Sequence, residues 1–192
     1  MPSTPDWPAL LSDALAHNPH HSARYIQLAT LSDSGDVTCR TLVCRRWLPD
    51  TGTLVATTDL RSHKVRGLRR HEQAEACWYL PARSEQFRLR GTVTLTGAEQ
   101  GSSLREEIWE ALPDTGKVLF TGPAPGTPLP PGYHGPDSTP PAHLPDCFAL
   151  LTLQPVRVDY LNLSTSPHQR WLFEYHRGDA MRRQWHARGL VP

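Results

Sequence analysis

The stretch from residue 36 to residue 70 most constrains how this chain can fold. Its first part alternates strictly, as a β-strand does, so that Arg40 lies on the same face as Leu42 and Cys44. A second strand, Thr53 to Thr57, follows after a turn, and basic residues then occupy the first turn of a helix. The stretch predicts a strand, a tight turn, a second strand and a helix, in that order.

Positive charge is concentrated where this helix begins. An arginine among apolar strand residues needs an anionic partner, because an unpaired buried charge is costly. The residues that follow the second strand are Thr58, Asp59, Arg61, Ser62, His63 and Lys64. Asp59 or Ser62 can cap the helix, whose first turn offers unpaired N–H groups and the positive end of the dipole. A phosphate site and a solvated basic helix start both remain open at this point.

Antiparallel strands are predicted through most of the remaining chain. The segment Ser32-Asp33-Ser34-Gly35 has the composition of a hairpin turn between strands at 25–31 and 37–47. Further strands are predicted at 74–80, 86–95, 148–154, 156–163 and 168–175, with helices at 6–18 and 102–112 and a short closing segment at 179–188. Gly91 in mid-strand indicates a bulge or a close backbone approach, as where a sheet curls into a barrel. These elements predict one domain over residues 1–192, mainly β with flanking helices, built as an antiparallel split β-barrel.

A proline-rich loop interrupts this pattern between residues 121 and 146, which hold nine of the chain's 19 prolines. Such a length without regular structure is unusual inside a compact domain. A fixed lid, an arm that wraps another subunit and a disordered segment all fit this composition.

Composition limits the possible partners. The net charge of +1 leaves no electrostatic footprint for nucleic acid or an anionic membrane surface. No apolar run approaches the ~20 residues that a membrane span needs, and we expect a cytoplasmic protein with a small-molecule partner.

The four cysteines form no C-x-x-C pair, so we expect no metal site. No Ser-His-Asp or paired-carboxylate arrangement stands out, and hydrolysis is disfavoured.

Four segments, in order and at compatible spacing, resemble the FMN-binding pyridoxamine 5′-phosphate oxidase family. They are RTLVCR at 40–45, TTDLRSHK at 57–64, EQFRLRG at 85–91 and the tail from Tyr160 through HQR at 168–170. The string WYLPARSEQFRLRG is more similar to a branch known only as flavin-binding and oxidase-related. The resemblance covers nearly the whole chain beyond His20, and it implies a split barrel that binds FMN at the interface of a homodimer.

The resemblance also implies residues for the phosphate end of FMN. Arg40 and Lys64 match phosphate-binding residues, while the backbone of Thr41, Leu42 and Val43 runs along the flavin and Arg45 closes that edge. Thr57 and Thr58 match residues beside the ribityl phosphate, with Ser62 as a further hydroxyl. His63 stands where the family often has arginine, and Arg61 could substitute for it from the same turn.

Other residues are matched to the flavin ring and to the substrate. Gln86 matches a glutamine that contacts the flavin from the neighbouring subunit, Tyr160 stands against the ring, and Arg170 lies near the isoalloxazine. The family's substrate-binding arginine falls at Ser166, which leaves His168 as the candidate substrate residue. We therefore expect pyridoxamine 5′-phosphate oxidation to be absent or very weak.

Two functions follow from these observations. The first is an FMN-dependent oxidoreductase that acts on an unidentified small molecule, with catalytic residues that the sequence does not identify. The alternative is a non-catalytic barrel that carries or senses a flavin or a tetrapyrrole.

Overall fold

The computed structural model describes residues 5–136, 139–177 and 183–192. Eight strands and four α-helices form its regular structure. The helices are α1 (Trp7–Ala16), α2 (His63–Arg70), α3 (Ser103–Glu110) and α4 (Asp114–Lys117). The strands are β1 (Tyr25–Leu31), β2 (Val37–Leu48), β3 (Thr53–Asp59), β4 (Gln73–Leu80), β5 (Glu85–Thr96), β6 (Phe148–Asn162), β7 (Gln169–Arg177) and β8 (Arg183–Leu190). The sequence predicted a strand or helix at each of these positions except α4, a single turn too short to show a period, and β8, where only a short closing segment was expected.

The strands form one antiparallel sheet that closes on itself. Their order is β3-β2-β1-β4-β5-β6-β7-β8, and an additional pairing of β3 with β6 closes the first six strands into a barrel. Strands β7 and β8 extend the sheet beyond β6. The predicted antiparallel split β-barrel is confirmed.

Strand β6 runs without a break through the position where two strands were predicted. Its first part pairs with β3 and its second part with β7, while β5 pairs along both parts. The register shifts where Gly91 faces Pro155, and a Cβ atom on Gly91 would lie 2.0 Å from the carbonyl oxygen of Gln154. The sequence prediction ended a strand before Pro155, because proline has no N–H group to donate to a neighbouring strand. Here the bulge accommodates it, and the expected close approach at Gly91 is confirmed.

The β1–β2 hairpin places the residues of the site described below. Gly35 has a φ of 90°, and the backbone N–H of Ser32 donates to the carbonyl of Asp36 at 2.8 Å. This turn sets a register in which Leu28 faces Arg40 and Thr30 faces Thr38.

Two hydrophobic clusters stabilise the fold. The larger fills the barrel and extends under α1, where the Trp7 ring packs against Trp47 at 5.5 Å and Trp185 at 5.3 Å between centroids. The smaller lies between α3 and strands β3 and β6, around Trp109 and Phe148. Because α3 covers the outer face of these strands, they are apolar on both sides.

The proline-rich loop contains no helix or strand at 121–136 or 139–146. Its first residues contact the start of α2, where Arg61 donates to the carbonyl of Gly122 at 3.0 Å. At its far end, the buried Arg105 of α3 donates to the carbonyl of Pro145 at 2.8 Å. Both ends are thus attached to the domain beside α2 and α3. Residues 179–182 of the predicted closing segment lie outside the described residues.

None of the helices in the described ranges combines the length and hydropathy that crossing a membrane requires. In the same ranges, no group of three or more His, Cys, Asp or Glu side chains is arranged to hold a metal ion.

Gly91→Ala should destabilise the barrel by about 3 kcal/mol or more, because the added methyl group would overlap backbone atoms of β6 that cannot rotate away. Urea unfolding followed by circular dichroism measures the change. Gly189→Ala on β8 is the matched control, since its Cβ would meet nothing within 4 Å. Equal stability of the two variants would contradict the close approach.

Candidate functional site

Arg40 is held by neutral acceptors. Its Nη1 donates to the carbonyl of Leu28 at 3.0 Å and to Oγ1 of Thr30 at 2.7 Å, and its Nη2 donates to Oγ1 of Thr38 at 2.5 Å. Burial lowers the pKa of Arg40. Within the described ranges no carboxylate bonds to this guanidinium, so the anionic partner expected from the sequence is not supplied there.

Lys64 lies in the same region, at the start of α2. Its Nζ donates to Oγ of Ser62 at 2.8 Å and to Oγ1 of Thr58 at 3.2 Å. Both hydroxyl residues are buried, at 5 % and 4 % exposed. Burial first, and then the charge of Arg40, lower the pKa of Lys64. The two cations are therefore within electrostatic range of each other.

The nearby acidic residue does not neutralise this pair. The carboxylate of Asp59 accepts from Nη2 of Arg61 at 2.7 Å and from the Arg61 backbone N–H at 2.7 Å. These bonds pair Asp59 with Arg61, whose pKa it raises. Burial and Arg40 lower the pKa of Lys64 by more than the charge of Asp59 raises it. We call Thr30, Thr38, Arg40, Thr58, Ser62 and Lys64 the phosphate cluster, because two cations surrounded by hydroxyl groups suit a dianionic phosphate.

The start of α2 has no side-chain cap. Ser62 occupies the N-cap position, but its Oγ donates backward to the carbonyl of Asp59 at 2.7 Å. The expectation that Asp59 or Ser62 caps the helix is therefore wrong. The Asp59 carboxylate accepts from Arg61, and the Ser62 hydroxyl donates to the Asp59 carbonyl. The first-turn N–H groups of α2 thus donate to neither side chain.

Arg61 and His63 are directed toward the proline-rich loop. The Arg61 guanidinium contacts Asp59 and the carbonyl of Gly122. The Nε2 atom of His63 lies 3.4 Å from the carbonyl oxygen of Gly126. Arg61 is thus already paired, and the structure does not place its charge in the phosphate cluster.

The rest of β2 continues away from the cluster. Thr41 is exposed, Leu42 and Val43 are half-buried, and Arg45 occupies the irregularity between Cys44 and Arg46. The Nε–H of Arg45 is buried with no acceptor among the described residues. Burial and the nearby charge of Arg24 lower the pKa of Arg45. Thr57 of β3 is half-buried beside Thr58.

Residues matched to the flavin ring lie on other strands. Gln86 is half-buried on β5, opposite Tyr79 and Leu161. Arg170 of β7 donates to Asp159 through Nε at 3.1 Å and through Nη2 at 2.9 Å. The exposed His168 has its Nδ1 3.0 Å from the carbonyl oxygen of Thr165. No hydrogen bond or ion pair in the described part of the chain joins these residues to the phosphate cluster.

Tyr160 lies in the barrel core. It is 3 % exposed, its ring packs on Phe87 at 4.7 Å, and its hydroxyl donates to Glu85 at 2.7 Å. The match to a residue against the flavin ring is therefore corrected, because the core covers this side chain. Glu85 is itself 1 % exposed and pairs with Arg83 at 2.9 Å.

Thr30 and Thr38 are the cluster residues that the sequence interpretation missed. A usable signal was present, because Thr38 precedes Arg40 by two positions and so shares its face of β2. The hairpin turn at 32–35 then predicts Thr30 as its cross-strand neighbour.

Comparisons with known proteins agree with this geometry. The family model described as "Pyridoxamine 5′-phosphate oxidase, FMN-binding domain" matches residues 4–97. The chain is 34 % identical over 178 residues to pyridoxine/pyridoxamine 5′-phosphate oxidase 2 of Arabidopsis thaliana, and the match covers 87 % of each chain.

Solved structures show the same likeness. A pyridoxamine 5′-phosphate oxidase-related, FMN binding protein from Nostoc punctiforme is 36 % identical with a TM-score of 0.81, and the match covers 99 % of this chain and 100 % of that chain. PhzG from Burkholderia lata, solved with tetrahydrophenazine-1-carboxylic acid, has a TM-score of 0.77 at 16 % identity, with 99 % and 95 % covered. The second likeness shows a shared fold alone. The chain belongs to the FMN-binding pyridoxamine 5′-phosphate oxidase family, and FMN is its cofactor.

Proposed function

We propose that this protein is an FMN-dependent oxidoreductase that acts on an unidentified small molecule. One observation carries the proposal: Arg40 and Lys64 bond only to neutral acceptors among the described residues, and the charge of Arg40 acts on Lys64. Two desolvated cations repel each other, and a bound phosphate dianion would remove that cost.

The residues of the phosphate cluster would hold the terminal phosphate of FMN. Arg40 and Lys64 contribute charge, while Thr58 and Ser62 fix the ammonium group of Lys64. The backbone of residues 41–43 would then run beside the flavin, with Arg45 at its edge. When bound, FMN supplies the redox chemistry, and the protein binds and orients it.

The non-catalytic alternative differs in turnover. A carrier or sensor would be reduced stoichiometrically by NAD(P)H or an amine and would not cycle. Repeated turnover with oxygen as acceptor would support the oxidoreductase.

The cytoplasmic location and the single domain over residues 1–192 stay predictions.

The purified protein should release FMN on denaturation, and Arg40→Ala combined with Lys64→Ala should weaken FMN binding at least about 100-fold. Each charged hydrogen bond contributes roughly 1.5 to 3 kcal/mol. Quenching of flavin fluorescence measures the affinity. Arg69→Ala with Lys117→Ala is the charge-matched control, because neither residue belongs to the cluster. Full FMN affinity in the Arg40/Lys64 double variant would remove the cluster from the proposal.

FMN affinity should also depend on the protonation of Lys64. Burial and Arg40 hold its pKa in the free protein below 10.5, so affinity should fall as the pH rises through that lowered pKa. In Lys64→Arg the guanidinium stays charged, and the fall should move to higher pH. Identical pH profiles for the two proteins would show that Lys64 does not bind the phosphate.

We further propose that the protein is a homodimer with FMN at its interface. The outer face of strands β2, β1, β4 and β5 supports this proposal, because it exposes Val37 (78 %), Tyr79 (49 %) and Tyr25. On the same sheet, the buried Nε–H of Arg88 has no acceptor within the described ranges. A second copy would cover the apolar side chains and could bring Gln86 to the partner's flavin.

Light scattering should give twice the 21.5 kDa of one chain. Tyr79→Glu should dissociate the dimer and lower FMN affinity in parallel, because it places a charge in the proposed interface. Leu129→Glu is the control, since Leu129 is 77 % exposed in the proline-rich loop and lies outside this face. A wild-type monomer that keeps FMN would refute the dimer.

Pyridoxamine 5′-phosphate oxidation should be absent or very weak, although the Arabidopsis relative carries that name. The substrate phosphate needs its own cation, and Ser166 stands where the family has arginine. Losing such a contact costs on the order of 2 to 5 kcal/mol, or roughly 30-fold or more in binding. Steady-state assay of the FMN-loaded protein measures the activity, and Ser166→Arg should raise kcat/KM. Turnover typical of the family in the wild type would contradict this expectation.

A further inference from the structure

We propose that Thr30 and Thr38 are positioning residues that turn one edge of the Arg40 guanidinium toward the cofactor phosphate. This inference rests on the proposed binding of FMN at the phosphate cluster, and it assigns these two hydroxyl groups a function in phosphate affinity.

The two hydroxyl groups form a compact acceptor pair. Oγ1 of Thr30 lies 3.2 Å from Oγ1 of Thr38, and the Thr38 hydroxyl also lies 3.2 Å from the carbonyl oxygen of Thr30. Each hydroxyl accepts from a different terminal nitrogen of Arg40. The pair therefore occupies the end of the guanidinium, between Nη1 and Nη2.

The donors of Arg40 can be assigned one by one. A guanidinium has five N–H groups, two on each terminal nitrogen and one on Nε. Both N–H groups of Nη1 are used, by Leu28 and Thr30, and one N–H group of Nη2 is used by Thr38. The second N–H of Nη2 and the N–H of Nε have no acceptor among the described residues, and they lie side by side on one edge. This edge has the geometry that binds an oxyanion with two parallel hydrogen bonds.

The hairpin keeps this orientation in place. Thr30 and Thr38 face each other across β1 and β2, and Leu28 faces Arg40 in the same register. A free arginine side chain samples many rotamers, whereas Arg40 is already fixed in the folded chain. Thr30 and Thr38 thus reduce the ordering that phosphate binding would otherwise require.

The test is FMN affinity, measured by fluorescence quenching, in Thr30→Val and Thr38→Val. Valine keeps the shape of threonine and removes the acceptor. Each variant should bind FMN about tenfold more weakly, the effect of one hydrogen bond to a charged group. Thr30→Ser should restore most of the affinity. Thr152→Val on β6 is the control, because the Thr152 hydroxyl takes no part in the cluster.

A double-mutant cycle separates positioning from a general effect on the fold. In an Arg40→Ala background, Thr30→Val and Thr38→Val should cause no further loss of FMN affinity, because their hydroxyls act through the guanidinium. Riboflavin, which lacks the phosphate, should bind all variants as it binds the wild type. Equal losses with and without Arg40, or equal losses for riboflavin and FMN, would overturn the positioning function.

The outcomes also separate this inference from the proposed function. A wild type that does not bind FMN would refute the proposed function itself. A wild type that binds FMN, with both valine variants binding equally well, would refute only the positioning of Arg40. Thermal unfolding confirms folding, and if the buried Thr30→Val does not fold, the half-buried Thr38→Val decides the result.

Discussion

The close approach of β6 to Gly91 is the constraint on which the rest of the structure depends. Because no side chain separates the two backbones, β6 can shift register beside Pro155 and pair with β3 in one part and with β7 in the other. The pairing with β3 closes the barrel. It also anchors the end of β3, from which Thr58 and the start of α2 reach the phosphate cluster.

The phosphate cluster contains two positively charged side chains whose burial lowers the stability of the free protein. Burial lowers the pKa of both Arg40 and Lys64, and Arg40 lowers that of Lys64 further. A cluster selected only for stability would place a carboxylate between them, yet the nearby Asp59 is bonded to Arg61. Such an arrangement is typical of a binding site, where the ligand supplies the missing charge.

The corrected residues share one cause. Tyr160 and Arg61 were interpreted from their positions in motifs, whereas their surroundings include strands and loops distant in sequence. Tyr160 meets Phe87 across the β5–β6 pair, and Arg61 meets Asp59 and the proline-rich loop. A motif specifies the residue at a position but does not determine which groups form hydrogen bonds with its polar atoms.

Local patterns in the sequence by themselves determined strands β1 to β5 and β7, the first three helices, the hairpin turn at 32–35 and the glycine needed at position 91. These features depend on period, turn chemistry and the absence of a Cβ atom, all of which act over a few residues. They also placed Arg40 and Lys64 at the candidate site. Only the tertiary structure decided that Tyr160 is buried and that β6 is one strand. Each of these outcomes depends on which strands pair, and pairing is a long-range property of the closed barrel.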